Sequence, residues 1–96
     1  MSDTVTAAVA ALTEKLGGDG FDGTAKMTIE GEGSLIIDEN GCRAGDDDAD
    51  VTLTASAETF QAILEGEIDP TSAFMSGKLA IDGDMSAAMR LAQVLS

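Results

Sequence analysis

Residues 69–95 read DPTSAFMSGKLAIDGDMSAAMRLAQVL, and this stretch decides the fold because it holds three secondary-structure elements and the residues that begin and end them. Asp69 can accept hydrogen bonds from free backbone N–H groups, and Pro70 has the fixed φ that suits a first helical position. Together they predict a short helix that begins here and ends at Gly77.

The second half of the stretch predicts a strand and a longer helix. Residues 78–82 alternate polar and apolar side chains, which is typical of a half-buried strand. Gly83 then predicts a turn, and Asp84 the N-cap of the last helix. The polar side chains of that helix form one narrow stripe, so most of its circumference is apolar; they are Ser86, Arg90 and Gln93.

At the other end of the chain, one apolar face predicts an amphipathic helix that starts near Asp3 and stops at Gly17-Gly18. Its members are Val5, Ala8, Val9, Leu12 and Leu16. The glycine-rich residues 18–23 lack the Gly-Lys-Ser/Thr of a phosphate-binding loop, so we interpret them as a flexible connection.

The middle of the chain predicts four strands. Alternating apolar residues mark strands at 25–29, 34–38 and 51–55, and Asn40-Gly41 is a strong hairpin signal before a short strand at 42–45. Ser56 then caps a helix that ends near Gly66, with an inner face of Ala57, Phe60, Ile63 and Leu64.

These elements predict one α+β domain over residues 1–96. We expect a five-stranded, largely antiparallel sheet, whose first three strands form a meander, with the helices packed on one face. A domain of this size has a small core, so any cavity would be formed by few residues.

The charge balance excludes one class of partner. Eighteen acidic residues against five basic ones give a net charge of −13, which would repel a phosphate backbone, so nucleic-acid binding is not expected. The same field opposes approach to anionic membranes at low salt. The acidity is equally consistent with a saline habitat, where carboxylates keep a protein soluble.

The side-chain inventory argues against catalysis. The chain has no His or Tyr, and Cys42 is its single cysteine, so we expect no catalytic residues, cofactor, disulfide or metal site. The acidic run 46–50 does not fit an EF-hand, because Val51 and Ala57 stand where that loop needs Gly and Glu. A small enzyme that transfers protons through carboxylates is a remote alternative.

Methionines suggest a different role for the C-terminal segment. Met75, Met85 and Met89 lie close to Phe74 in the chain, and flexible thioether side chains suit a pocket for variable alkyl chains. On composition alone, plain core residues are the favoured interpretation of these side chains.

Residues 69–91, DPTSAFMSGKLAIDGDMSAAMRL, resemble the C-terminal signature of the sterol carrier protein-2 family of small lipid-binding domains. The resemblance combines a Pro, a Phe-Met pair, Ser-Gly-Lys, an alternating strand and Gly-Asp-Met at fixed spacing. Upstream, the order of elements agrees, and residues 49–51 and 56–60 add weaker similarity. The resemblance implies an SCP-2-like fold that encloses a hydrophobic tunnel between the sheet and the helices, with the terminal helix helping to close it.

Carried over by position, the resemblance implies a set of ligand-binding residues. Walls or lid would be Phe74, Met75, Met85, Met89 and Leu95, with Phe60 and Leu64 opposite. The implied function is a non-enzymatic carrier that holds a fatty acyl chain, acyl-CoA, phospholipid or sterol-like amphiphile. We expect a cytoplasmic monomer with transient membrane or lipid-enzyme contacts, because the chain shows no signal peptide, no membrane span and no C-terminal peroxisomal address.

A different function is also compatible with the sequence. The apolar terminal helix would in that case dock on an enzyme of lipid metabolism, and the domain would be a protein-interaction module. A large exposed apolar patch or self-association would favour this alternative.

Overall fold

The computed structural model describes residues 3–16, 21 and 23–95, and Leu95 by its backbone alone. Its elements in chain order are α1 (Asp3–Leu16), β1 (Ala25–Ile29), β2 (Gly33–Asp38), β3 (Gly41–Ala44), β4 (Val51–Ala55), α2 (Ala57–Leu64), α3 (Pro70–Met75), β5 (Leu79–Gly83) and α4 (Met85–Leu95). The predicted order of four helices and five strands is confirmed, and the expected end of α1 at Gly17-Gly18 and most of the loop 18–23 lie outside the described residues.

The five strands form one mixed sheet in the order β3-β2-β1-β4-β5. The β1–β2, β2–β3 and β4–β5 pairs are antiparallel, and β1 pairs with β4 in parallel. This confirms the largely antiparallel sheet and the meander of the first three strands. Because β1 and β4 are parallel, the chain between β3 and β4 has to cross the sheet.

One face of the sheet forms the core. Alternate residues of β1 and β4 are buried, and the register places Met27 between Leu35 of β2 and Leu53 of β4. The helices cover this face: α1 packs on β2 and β3, α4 on β1 and β4, and α3 on β5. The prediction that the helices pack on one face is confirmed. The physical reason is that apolar and polar residues alternate along the strands, which gives the sheet one apolar face for the helices to cover.

The opposite face carries the crossing loop, residues 45–50. Lys26 Nζ contacts Asp46 Oδ1 at 2.9 Å, and Ile36, which shares the face of Lys26, is fully buried. Strict alternation along the strand predicted at residues 34–38 would leave Ile36 on the outward face of β2. It is buried because the loop lies over it, a long-range packing that strand periodicity cannot show.

The helix starts differ from one another. Asp84 Oδ1 accepts from the Ser86 N–H at 2.9 Å, and Ser56 Oγ accepts from the Thr59 N–H at 3.2 Å, as the sequence predicted. Asp69 makes no such side-chain bond, so this part of the prediction is wrong. The fixed φ of Pro70 at the first position of α3 starts that helix without it.

Candidate ligand-binding clefts

An apolar cleft of about 200 Å³ opens between α3, β5 and α4, and we call it the α4 cleft. Its floor includes the buried Leu53 and Leu79 of the sheet. The remaining lining residues are Pro70, Thr71, Phe74, Ile81, Met85, Ala88, Met89 and Ala92. None of these residues is charged, so the cleft offers an apolar chain a surface without ionic contacts.

Helix α4 builds one side of this cleft. Met85, Met89 and Ala92 follow one another at helical spacing and line the cleft, while Ala87 and Leu91 are fully buried in the core. The apolar surface predicted for α4 is therefore divided between the core and the cleft.

Large apolar side chains are exposed around the α4 cleft. Phe74 is 41% exposed, Met85 49% and Met89 65%, and these three residues, which we call the apolar rim, all line the cleft. Met75 follows Phe74 at the end of α3 and is 81% exposed, but it does not line the cleft. A group of exposed apolar side chains around a groove is typical of an interaction site.

A second cleft of about 470 Å³ lies between α1 and α2, and we call it the α1–α2 cleft. Phe60 and Leu64 line it from α2, with Ile29 at the end of β1. Small residues leave room on the facing helix: Ala7, Ala8 and Ala11. The carboxylates of Asp3 and Glu65 are the charged groups among its described lining residues.

The structure thus distributes the predicted ligand-binding residues over two places. Phe74, Met85 and Met89 come together in the α4 cleft, whereas Phe60 and Leu64 face the other cleft. Met75 lies outside both clefts, and the side chain of Leu95 is outside the described part of the structure.

Sequence reasoning missed several residues that line the α4 cleft. Leu79 and Ile81 belong to the strand that the alternation predicted, and Ala88 and Ala92 fall at helical spacing from Met85. Those two periodicities could have identified them, because each places its residues on one face of its element.

Cys42 is a free cysteine that lies partly buried in β3. Burial raises the pKa of the Cys42 thiol to about 11, which keeps it in the poorly nucleophilic protonated form at neutral pH. Within the described ranges, no group of three or more His, Cys, Asp or Glu side chains could hold a metal ion. No helix there is long and apolar enough to cross a bilayer.

Comparison with known proteins identifies relatives of the whole chain. The model of the SCP-2 sterol transfer family matches residues 6–96. "Hydroxysteroid dehydrogenase-like protein 2" from Bos taurus and its Homo sapiens counterpart are each 35% identical over 98 residues, which cover 100% of this chain and 22% of the relative. The chain therefore spans about a fifth of the length of these curated relatives.

Solved structures with the same fold agree. Sterol Carrier Protein 2 Like 2 from Aedes aegypti superposes with a TM-score of 0.79 at 23% identity, covering 95% of both chains. Sterol Carrier Protein-2 from the same organism, solved in complex with palmitate, has a TM-score of 0.77 at 20% identity, covering 100% of this chain and 97% of that one. The likeness confirms the predicted five-stranded sheet with four helices, whereas the enclosed tunnel stays a prediction. With the family model matching nearly every residue, this chain belongs to the SCP-2 sterol transfer family.

Proposed function

We propose that this protein is a non-enzymatic lipid carrier that holds an apolar chain in the α4 cleft. The observation that supports this most directly is the cleft itself, which has an uncharged lining, a floor that reaches the core, and an exposed apolar rim. The solved structure of Aedes aegypti Sterol Carrier Protein-2 in complex with palmitate, which shares the fold, supports a fatty acyl chain as the first ligand to test.

The free energy of binding comes from burial. Each methylene removed from water contributes about 0.8 kcal/mol, so an acyl chain of moderate length needs no charged contact. The thioether side chains of Met85 and Met89 adapt to chains of different shape because each has several rotatable bonds. The head group remains at the rim in contact with water, since no charged side chain lines the cleft. Fatty acids, acyl-CoA, phospholipids and sterol-like amphiphiles therefore all remain candidates.

The size of the cleft implies that the ligand widens it. Its volume of about 200 Å³ lies below the 300–1,000 Å³ typical of ligand sites, so α3 and α4 have to move apart when a chain enters. Phe74, Met85 and Met89 are the predicted residues that contact the chain in this proposal, and Met75 lies beside them. Phe60 and Leu64 face the separate cleft, and Leu95 as part of a lid is still a prediction.

Palmitate titration tests the proposal. Ala92→Trp places a large side chain on the wall of the α4 cleft, and we expect it to weaken palmitate binding at least about tenfold, measured by calorimetry and native mass spectrometry. Ala10→Trp introduces the same side chain at an exposed position of α1 that lines neither cleft, and binding should be unchanged. Equal binding to both variants and the parent protein would contradict the proposal. Met89→Glu, which adds a charge at the exposed rim, provides a second variant that leaves the core intact.

Hydrogen exchange tests the proposed location of the ligand. The amides of α4 should exchange more slowly with saturating palmitate than without it, because the ligand fills the cleft that α4 borders. The amides of β2 are distant from the cleft lining and provide the internal control. An α4 exchange rate that palmitate leaves unchanged would contradict the proposed location.

The exposed rim also favours a second candidate function, a protein-interaction module. In the hydroxysteroid dehydrogenase-like relatives named above, the matched region is about a fifth of a longer chain. A domain that docks through the rim on an enzyme of lipid metabolism would self-associate or bind that enzyme without lipid. Sedimentation of the parent protein and of Met85→Gln/Met89→Gln distinguishes the two functions, because only a docking surface predicts rim-dependent association.

A further inference from the structure

The α1–α2 cleft is a second concave surface, open to solvent on one side, that the proposed lipid site does not use. Its volume of about 470 Å³ falls within the range of small-molecule sites. Its apolar part consists of Ile29, Phe60 and Leu64 against the alanines of α1. Ala7 and Ala11 lie one helical turn apart on the same side of that helix, and their small side chains leave the space open.

The charged side chains among the described lining residues of this cleft are all acidic. Asp3 in the first turn of α1 and Glu65 at the C-terminal end of α2 line it, and none of its described lining residues is basic. The field of the whole chain, with a net charge of −13, has the same sign. Carboxylates next to an apolar surface of ligand size favour a ligand that has a positive charge attached to an apolar body.

We propose that the α1–α2 cleft binds amphiphiles with a cationic head group, such as long-chain amines, with the apolar body against Ile29, Phe60 and Leu64 and the ammonium group beside Asp3 or Glu65. Fatty acids and phosphorylated lipids are disfavoured at this site, because their head groups would be repelled by the same carboxylates. The two clefts therefore differ in ligand class: the α4 cleft has no charged lining residue, and the α1–α2 cleft selects by charge.

Three ligands with the same alkyl chain and different head groups test the inference: dodecylamine, dodecanol and dodecanoate. At neutral pH, and below the solubility or micellar limit of each ligand, we expect dodecylamine to bind roughly tenfold more tightly than dodecanol. One exposed charge contact of up to about 1 kcal/mol, or about fivefold, and the screened attraction of the second carboxylate together amount to about one factor of ten. Dodecanoate should bind most weakly at this cleft. When dodecylamine is added, the changes in backbone chemical shift should be found in α1 and α2.

Matched variants separate a local effect from the general acidity of the protein. Asp3→Asn/Glu65→Gln removes the two carboxylates of the cleft and should bring the amine-to-alcohol affinity ratio close to one. Glu39→Gln/Asp48→Asn removes the same two kinds of charge at exposed positions outside the cleft, and it should leave the ratio near ten. Equal loss of preference in both double variants, or equal affinity of the parent protein for amine and alcohol, would overturn the inference.

A further pair of variants tests where the amine binds. Ala11→Trp fills the α1–α2 cleft and should abolish the selective amine site, whereas Ala92→Trp fills the α4 cleft and should preserve it. Shift changes confined to α4 in the parent protein would also overturn the inference. Because the palmitate experiment concerns the other cleft, failure of one proposal leaves the other standing.

Discussion

At the scale of single residues, Gly83 is the described glycine with the least tolerance for a side chain. Its φ is +110°, and a Cβ there would overlap the carbonyl oxygen of Asp50 and lie 3.0 Å from the Cα of Val51. The close approach allows the Asp84 N–H to donate to the same Asp50 oxygen at 2.9 Å. Gly83 therefore joins the end of β5 to the start of β4 and positions the beginning of α4.

We expect Gly83→Ala to lower the free energy of unfolding by about 2–5 kcal/mol, because backbone strain and overlap with a neighbouring strand add together. Gly77→Ala is the matched control: its φ is +80°, and no atom lies within 4 Å of its added Cβ. Strain alone should lower stability there by about 1–2 kcal/mol. Urea unfolding of both variants measures the difference, and equal losses would contradict the argument.

The Asp38 carboxylate gives a pH dependence of known sign. Its pKa is lowered mainly by a hydrogen bond from Arg43, whose Nη1 lies 2.6 Å from Asp38 Oδ2, and also by the Asn40 N–H. A lowered folded-state pKa means that the contact stabilises the protein above the unfolded pKa of about 3.9 and is lost as pH falls through the lower folded value.

We therefore expect the stability difference between the parent protein and Asp38→Asn to be constant near neutral pH and to shrink as pH falls below about 4. Urea unfolding at a series of pH values measures this difference. Asp48→Asn controls for the general loss of charge, since Asp48 is exposed in the crossing loop. A difference that grows on acidification would have the wrong sign for this contact.

At the scale of elements, the helix starts make different contributions. Asp84→Ala should lower stability by about 1 kcal/mol, because it removes the acceptor of the Ser86 N–H at the start of α4. Asp69→Ala should lower stability by only about a few tenths of a kcal/mol, because the Asp69 carboxylate makes no capping hydrogen bond at the start of α3. Thermal unfolding followed by circular dichroism compares the two, and equal effects would contradict the assigned caps.

The secondary structure could be predicted from the sequence because its signals are local. Periodicity, Ser56, Asp84, Pro70 and Asn40-Gly41 placed every element, with strand ends differing by one residue at β2, β3 and β5. The absence of a side-chain hydrogen bond at Asp69 could not be predicted, because residue type alone does not fix where a carboxylate points. The burial of Ile36 also depends on a loop that arrives from a distant part of the chain.

At the scale of the whole molecule, acidity acts against the compact state. The molecule extends 31 × 29 × 24 Å and carries a net charge of −13, so its carboxylates repel one another across the fold at low salt. The Debye length is about 30 Å at about 0.01 M salt and about 3 Å at about 1 M. Salt should therefore relieve most of this repulsion.

We expect the melting temperature to rise by several degrees when sodium chloride is raised from about 0.01 M to about 1 M. Glu39→Gln/Asp48→Asn, which carries fewer negative charges, should show a smaller rise. Scanning calorimetry measures both proteins. A melting temperature that falls with salt would show that ion pairs such as Lys26–Asp46 outweigh the net repulsion.

The sequence by itself determined the elements, the sheet class and the family, because periodicity, turn residues and the motif at 69–91 are carried by neighbouring residues. It also identified the apolar side chains with functional potential. Only the tertiary structure decided which of them share a cleft. Met85 and Met89 meet Phe74 because α4 packs beside α3, whereas Phe60 and Leu64 meet α1, and these contacts depend on how the helices cross the sheet.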